Sequence, residues 1–427
     1  MESAGAGNRD EKNEGARDLP NALRDCSVYI ETYGCRYNFG DTAKLVEVLR
    51  HYGSTVVEKP DEAEAVIVNT CTVVGSTERR MLRRLAGFRD KDLYVTGCMP
   101  NVQREAIFAI CSPTIISPDT IHELYRSVGT VAKGSIGIVQ LAQGCPGSCT
   151  YCITRFARGP LKSIPADEII RQVRAFVTAG AYEIQLTAQD VSSWGMDTGD
   201  SLSELLVALD RISGNHRIRV GMMNPATVKR QTGHLIDAFA GEHIFKFIHL
   251  PVQSGSDSVL ARMGRGYTVS EFRKIVRSFR EQYPKITVAT DMIVGFCGET
   301  EADFSASIDL IQREKLSKVN VTRYSRRPFT PLAREKDNPD HVKKDRSRIM
   351  NAVAEEVYTI LNAEQIGKTI PFVVTEILRK GSVMARSPEY TGIVIRENLP
   401  VGFSGDVVLR QDRKYFFIGE CVRPSCR

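Results

Sequence analysis

Eleven cysteines occur in the 427 residues, and six of them fall into two patterns able to do chemistry. The compact pattern is GCPGSCTYC, in which Cys145, Cys149 and Cys152 are spaced C-x3-C-x2-C. Thiolates hold iron–sulfur clusters, and a fully ligated four-iron cluster takes four of them. Three thiolates on one tight loop leave one iron open to a substrate, much as a catalytic zinc site keeps one position free. A zinc site and three unrelated cysteines are the other readings of this spacing. The dispersed pattern is Cys35, Cys71 and Cys98, in TYGC, NTC and TGC. Each follows an apolar run. Free cysteine is among the most buried residue types, so buried structural thiols and ligands of one centre both remain open readings. Cys26, Cys111, Cys297, Cys421 and Cys426 show no spacing that makes a site.

The dispersed cysteines need elements that bring them together. VYIETYG (Val28–Gly34), AVIVNT (Ala65–Thr70) and LYVTG (Leu93–Gly97) read as buried strands. Helices are expected over Asp41–Tyr52, over Ser76–Phe88 and after Asn101. Short apolar runs alternating with helical periods argue for a parallel α/β sheet. In such a sheet the strand carboxyl ends open on one edge, where ligands bind, and right-handed crossovers gather the loops there. A second alternation starts near Gly134, with apolar segments IGIVQLA, YEIQLTA, RIRVGMM, FKFIHLPV, KITVATDMIVG and KVNVTRY. Six strand–helix units suggest a partial (β/α)6 barrel, with an open doubly wound sheet as the rival. The compact cysteine loop directly follows its first strand. From about Lys368 the texture becomes short strands (TIPFVVTEI, GIVIRE, GDVVLRQ, KYFFIGEC) split by turn residues, which suggests a small all-β barrel.

Cysteine loop and barrel together match the radical S-adenosylmethionine (SAM) signature. YGCRYNFGD, NTCTV and TGCMP, with FARGPLKS, LTAQDVSSWG, HLPVQSGSDSVL, MGRGYTVSEF, TDMIVGFCGETEADF and RYSRRPFTP, extend the resemblance to the methylthiotransferase family over nearly the whole chain after about residue 26. The resemblance implies a fold of a parallel α/β domain, a partial (β/α)6 radical SAM barrel and a small all-β TRAM barrel that binds RNA. The corresponding ranges are a disordered tail over 1–25, then 26–133, 134–363 and 364–427. It implies two [4Fe-4S] clusters, one on Cys145, Cys149 and Cys152 with S-adenosyl-L-methionine on its open iron, the other on Cys35, Cys71 and Cys98. One SAM methylates sulfur at the second cluster, and another gives the radical that removes hydrogen from carbon 2 of adenine. Three substrates divide the family: isopentenyladenosine of tRNA, an aspartate of a ribosomal protein, and threonylcarbamoyladenosine of tRNA. ARGPLKS, TAQDVSSWG and HLPVQSGSDSVL most resemble the third branch in its archaeal and eukaryotic form. Two positions depart from the family pattern: Cys297, where relatives usually have proline, and Phe329, where they often have glycine.

The strand ends supply the expected cofactor contacts. These are Gln189 and Asp190, then His249, Gln253 and Ser254, then Gly295 and Glu299 in GFCGE, which by resemblance packs near the adenine of SAM. Arg323, Arg326, Arg327, Lys343 and Lys344, interleaved with Tyr324 and Phe329, form a basic stretch suited to phosphates and splayed bases. A solvated helix explains Lys343–Arg348 equally well. Arg379, Lys380, Arg413 and Lys414 add charge in the C-terminal barrel.

Hydrophobic residues make up 42% and charged residues 25%, with net charge +6. These are globular values, and no apolar run nears the roughly 20 residues of a membrane helix. The N-terminus has no apolar core and several acids, unlike a secretory or transit signal. The expectation is a cytoplasmic, tRNA-modifying enzyme that engages the anticodon stem-loop and no membrane. It would also need an electron donor such as flavodoxin or ferredoxin and a sulfur donor. An iron–sulfur electron carrier would need fully ligated clusters, which two triplets do not supply. A zinc-bearing RNA-binding module is the remaining rival.

Overall fold

A computed structural model describes residues 19–129, 134–379 and 381–422. They divide into two compact units. The first comprises the described residues of 1–132 together with 152–160 and 327–329, and the second the remainder.

The first unit is built on a five-stranded parallel sheet, in the order β2 (Thr55–Val57), β1 (Ser27–Thr32), β3 (Ala65–Thr70), β4 (Asp92–Gly97), β5 (Thr114–Ile115). Alternation along β3 serves two cores. Val66 and Val68 pack with Met81, Leu85 and Phe88 from the Gly75–Ala86 side. Ala65 and Ile67 pack with Leu45 and Leu49 of the Arg36–His51 helix. Both faces are covered, as parallel sheets require, and each fully buried aliphatic side chain contributes roughly 1.5–3 kcal/mol. Within the range 1–25, expected to be a disordered tail, Leu19–Ala22 is helical. Leu19 and Leu23, four residues apart, are both buried in the second of these cores, so spacing on one helical face outweighed the polar composition around them. Residues 1–18 of that tail lie outside the described residues.

The second unit contains six parallel strands in sequence order. β6 (Ile136–Gln140), β9 (Glu183–Thr187) and β10 (Arg217–Arg219) form one sheet, and β11 (Phe247–His249), β12 (Thr287–Val294) and β13 (Lys318–Arg323) another. Isolated parallel bridges, Ile218 with Ile244 and Met222 with His249, join them. No reversal of strand order occurs, so the partial barrel holds and the doubly wound alternative falls. A short ribbon of β7 (Ala142–Gln143) and β8 (Lys162–Ser163) follows the first barrel strand.

The charged stretch before the C-terminal domain is helical for longer than its composition suggests. Asp340–Ala363 is one 24-residue helix, with Lys343, Arg346, Met350, Ala354, Val357 and Tyr358 on its buried side. Beyond it, β14 (Thr369–Arg379), β15 (Ser382–Arg386), β16 (Gly392–Ile395), β17 (Ser404–Asp412) and β18 (Phe417–Cys421) close a five-stranded barrel. The closed barrel is fastened to the radical barrel. The Tyr390 hydroxyl donates to Glu183 Oε1 at 2.5 Å, its ring packs on Phe245 and Phe247, and the Lys246 amide donates to the Pro388 carbonyl at 2.8 Å. Among the described residues no helix is long and apolar enough to cross a membrane.

Candidate iron–sulfur centres

In the first unit, strand order reverses between β1 and β3, the switch point where ligand crevices open in such sheets. Cys35 follows β1 and stands at the N-cap of Arg36–His51. Cys71 follows β3, and Cys98 joins β4 to the helical turn Met99–Val102. Asn38 stitches these loops together. Its side-chain amide donates to the carbonyls of Tyr33 and Thr70, each at 2.8 Å, while its own carbonyl accepts from Asn69 at 2.7 Å. The Cys98 amide donates to the Thr70 carbonyl at 2.9 Å. Two glycines allow the close approach. Gly34 has φ +106°, and a Cβ there would lie 2.8 Å from Cys71 Cβ. Gly97 has φ +91°, and a Cβ would lie 2.3 Å from the Thr70 carbonyl oxygen. The left-handed backbone is one that only glycine adopts freely.

Cys71 and Cys98 are buried and Cys35 is exposed. Burial pushes the Cys71 thiol up and the Cys98 thiol up to about 11, against the pull of Arg158. Buried Arg158, in Thr154–Arg158, turns Nε toward Cys98 Sγ at 3.3 Å. A hydrogen-bond donor aimed at sulfur fits a thiolate, the form that ligates metal.

In the second unit, the loop after β6 presents Cys145 and Cys149 in a comparable way. The Gly147 amide donates to Cys145 Sγ at 3.3 Å, and Arg265 Nη1 to Cys149 Sγ at 3.2 Å. Gln189 fixes the loop by accepting from the Gly144 amide at 2.7 Å. The Thr150 amide and hydroxyl donate to the carbonyls of Met263 and Arg262. Cys145, Cys149 and Cys152 are all half-buried. Among the described residues no three His, Cys, Asp or Glu side chains are gathered for a single metal ion.

The expected cofactor contacts meet different fates. Asp190 is buried and spent on the fold: it accepts from the Ser192 amide and hydroxyl, the Asn224 amide and the Thr227 hydroxyl. Burial raises its pKa against those bonds. Ser254 is buried against Ser307 and accepts from the Ser256 amide. Glu299 accepts from the Gly295 amide at 2.7 Å and pairs with Arg346 at 2.7 Å. A Cβ on Gly295 would collide with Lys343 Cγ at 2.3 Å, so GFCGE receives the Asp340–Ala363 helix. Gln253 is a non-glycine residue at φ +72°, a conformation that concentrates at functional sites. His249 Nε2 lies 3.1 Å from Asp291 Oδ1, and that contact with Asn320 holds the Asp291 carboxyl low despite its burial. Cys297 is buried with Phe296 and Tyr324.

Of the expected RNA contacts, Arg323, Arg326, Lys344, Arg379 and Arg413 are exposed. Lys414 is half-buried and ion-paired with Glu355. Lys380 lies outside the described residues. Arg327 and Lys343 are buried, paired with Glu78 and Asp337 respectively, which leaves them little surface for a phosphate. Phe329 is 65% exposed at φ +65°, so the bulky side chain occupies a backbone suited to the glycine it departs from. Sequence reading passed over Asn38, Asp41, Arg158 and Arg265, whose partners are distant in the chain.

A cysteine loop after the first strand of a six-stranded partial barrel defines a radical SAM enzyme, and residues 139–311 match the model of the Radical SAM superfamily. Residues 27–116 match Uncharacterized protein family UPF0004. The "Probable threonylcarbamoyladenosine tRNA methylthiotransferase" of Pyrococcus horikoshii is 38% identical, over 92% of this chain and 99% of the relative. The Homo sapiens "Threonylcarbamoyladenosine tRNA methylthiotransferase" is 29% identical, over 92% of this chain and 74% of the relative. Among solved structures, the radical S-adenosylmethionine methyltransferase TsrM from Kitasatospora setae is similar in fold, with TM-score 0.51 and 14% identity over 72% of this chain and 75% of that one. The chain belongs to the threonylcarbamoyladenosine tRNA methylthiotransferase family. It is a radical SAM methylthiotransferase, and so uses a four-iron cluster and S-adenosylmethionine.

Proposed function

We propose that this enzyme converts N6-threonylcarbamoyladenosine at position 37 of tRNA, next to the anticodon, to its 2-methylthio derivative. The observation that carries this substrate is the agreement of five archaeal relatives, at 34–38% identity, on that name. A relative from Chloroflexus aurantiacus named tRNA-2-methylthio-N(6)-dimethylallyladenosine synthase is 32% identical over 87% of the chain, so isopentenylated adenosine is the second reading. We assign Cys145, Cys149 and Cys152 to the cluster that takes S-adenosylmethionine, and Cys35, Cys71 and Cys98 to a second four-iron cluster.

When bound, the clusters and S-adenosylmethionine supply a radical for an unactivated C–H bond and a methylthio unit to replace it. The chain's own task is to hold and orient. Gln189 fixes the cysteine loop through Gly144, and Arg265 donates to the Cys149 sulfur. Asn38 clasps the Cys35 and Cys71 loops of the first unit. His249 and Gln253, at barrel strand ends, are assigned to S-adenosylmethionine. Arg323, Arg326, Lys344, Arg379 and Arg413 are assigned to tRNA phosphates, and the closed barrel β14–β18 to RNA binding. On this reading the enzyme works in the cytoplasm on the anticodon stem-loop, with a flavodoxin- or ferredoxin-type electron donor and a separate sulfur donor. The test is mass spectrometry of tRNA nucleosides from a strain lacking the protein, before and after complementation. Loss and return of the 2-methylthio form of threonylcarbamoyladenosine is expected; loss of the isopentenyl counterpart instead would overturn the assignment.

A further inference from the structure

Within the first unit, one cation is buried at the cysteine loops although it belongs to a segment far from the sheet in sequence. Arg158 is 3% exposed. Its Nε donates to Cys98 Sγ at 3.3 Å. Its Nη2 donates to Asn38 Oδ1 at 2.7 Å and to Asp41 Oδ2 at 2.8 Å. The guanidinium lies over the Tyr37 ring, 4.7 Å from its centroid. Nη1 is buried with no hydrogen-bond partner among the described residues.

Burying a guanidinium is costly unless its charge is met and its N–H groups are used. Asp41, itself fully buried, meets the charge. The N–H groups are then spent unevenly: Nε goes to a sulfur, and Nη1 to no atom among the described residues. A neutral thiol is a weak acceptor, while a thiolate or a cluster sulfide is a strong one. Asn38, which accepts from the same guanidinium, also ties the Cys35 loop to the Cys71 loop through the Tyr33 and Thr70 carbonyls. Arg158 is therefore coupled to all three cysteine loops. Hydrogen bonds to ligand sulfurs raise the reduction potential of an iron–sulfur cluster, and outer partners of metal ligands orient them.

We propose that Arg158 is a positioning residue for the sulfur centre of the first unit: its Nε–H holds the Cys98 sulfur and raises the reduction potential of the cluster there, with Asp41 as fixed counter-charge. This rests on the reading that Cys35, Cys71 and Cys98 hold a four-iron cluster. Because Asp41 cancels the guanidinium charge, the local N–H···S bond, more than net positive charge, sets the potential.

The experiment uses full-length protein with Cys145, Cys149 and Cys152 changed to Ala, reconstituted anaerobically so that a single cluster remains. Iron is counted, and the midpoint potential is read by titration with electron paramagnetic resonance. Two variants are compared with this parent: Arg158→Lys, which keeps the charge and loses Nε, and Arg158→Met with Asp41→Asn, which removes the ion pair as a neutral couple. Expected are unchanged circular dichroism, about four irons as in the parent, and a lower midpoint in both variants. Loss of iron from folded variants supports the clamp in a stronger form. Unchanged midpoints with full iron overturn the proposal, as does unfolding of both variants, which would assign Arg158 to the fold alone. Absence of iron from the parent, with Arg158 intact, overturns the cluster reading instead and the inference with it.

Discussion

Two buried arginines each donate an N–H to a cysteine sulfur, and their surroundings differ in one respect. Arg158, beside Cys98, is ion-paired with Asp41. Arg265, beside Cys149, donates otherwise to the Tyr267 hydroxyl, Asn224 Oδ1 and the Pro251 carbonyl, all neutral acceptors. In one unit the charge is cancelled and the N–H dipole remains. In the other no carboxylate bonds the guanidinium, and Asp190 and Asp291 act on it only through space. A cation without a bonded carboxylate favours the thiolate and any further negative charge brought to it, whereas an ion-paired one fixes geometry and adds less charge. The same residue type thus meets two cysteine sulfurs in two electrostatic regimes.

The comparison breaks at the outset if the two cysteine triads do not act as separate centres. Changing Cys145, Cys149 and Cys152 to Ala should abolish 5′-deoxyadenosine formation and remove about half the iron, four of about eight atoms. Changing Cys35, Cys71 and Cys98 should leave that cleavage running while abolishing the methylthio product. Chromatography of small molecules beside nucleoside mass spectrometry reads both, and methylthio product from the second variant would dissolve the distinction. Next in size is the charge of Arg265. Arg265→Leu should slow reductive cleavage of S-adenosylmethionine by roughly 10–100-fold, the usual cost of losing a partner of a metal ligand. Arg265→Lys should recover much of it; equal loss in both would mean that the hydrogen bond, not the charge, matters.

A smaller effect is expected where cations lie on the surface. Reversing Arg379 and Arg413 to Glu should weaken tRNA binding at low salt and reduce the slope of log affinity against log salt by about one per lost phosphate contact. Filter binding across a salt series measures this, and S-adenosylmethionine cleavage should not move. The smallest effect sets the background for any acid titration of the sites. Burial and the nearby His243 push the His216 pKa down from 6.5 to about 4. The unfolded chain therefore binds the proton first, and stability falls as pH drops from 6.5 toward 4. Thermal melts over that range should show the decline, and His216→Phe should flatten it.

Much of this architecture was legible in the sequence. β3 coincides with AVIVNT, because a short continuous apolar run is a strong local signal. The strand-end cysteines were visible for the same reason: a polarizable residue after an apolar run is a local signal. Partnership was not legible. Asn38 and Asp41, one turn apart, share a helix face, but Gly40–Asp41 reads as a helix start, so the first turn and Asn38 within it were lost. Arg158 meets Asn38 across 120 residues and Cys98 across 60, and pattern reading does not reach that far. Lys343 and Arg346 look like a solvated basic run because Glu299, the partner of Arg346, is distant in the chain, and Asp337, the partner of Lys343, lies just ahead of the helix.

The clasp between Tyr390 and Glu183 bears on how such an enzyme can be re-engineered. The closed barrel is not a bead on a flexible string. Tyr390, itself at φ +66°, reaches into the radical barrel and rests between Phe245 and Phe247, and Arg219 and Lys318 also lie over its ring. If the closed barrel binds RNA as proposed, its register is set by contact, so effective concentration from a tether is the wrong description of its gain. Grafting a foreign RNA-binding barrel at the natural junction would join the chains and still lose the alignment, unless the graft carried its own tyrosine for that socket.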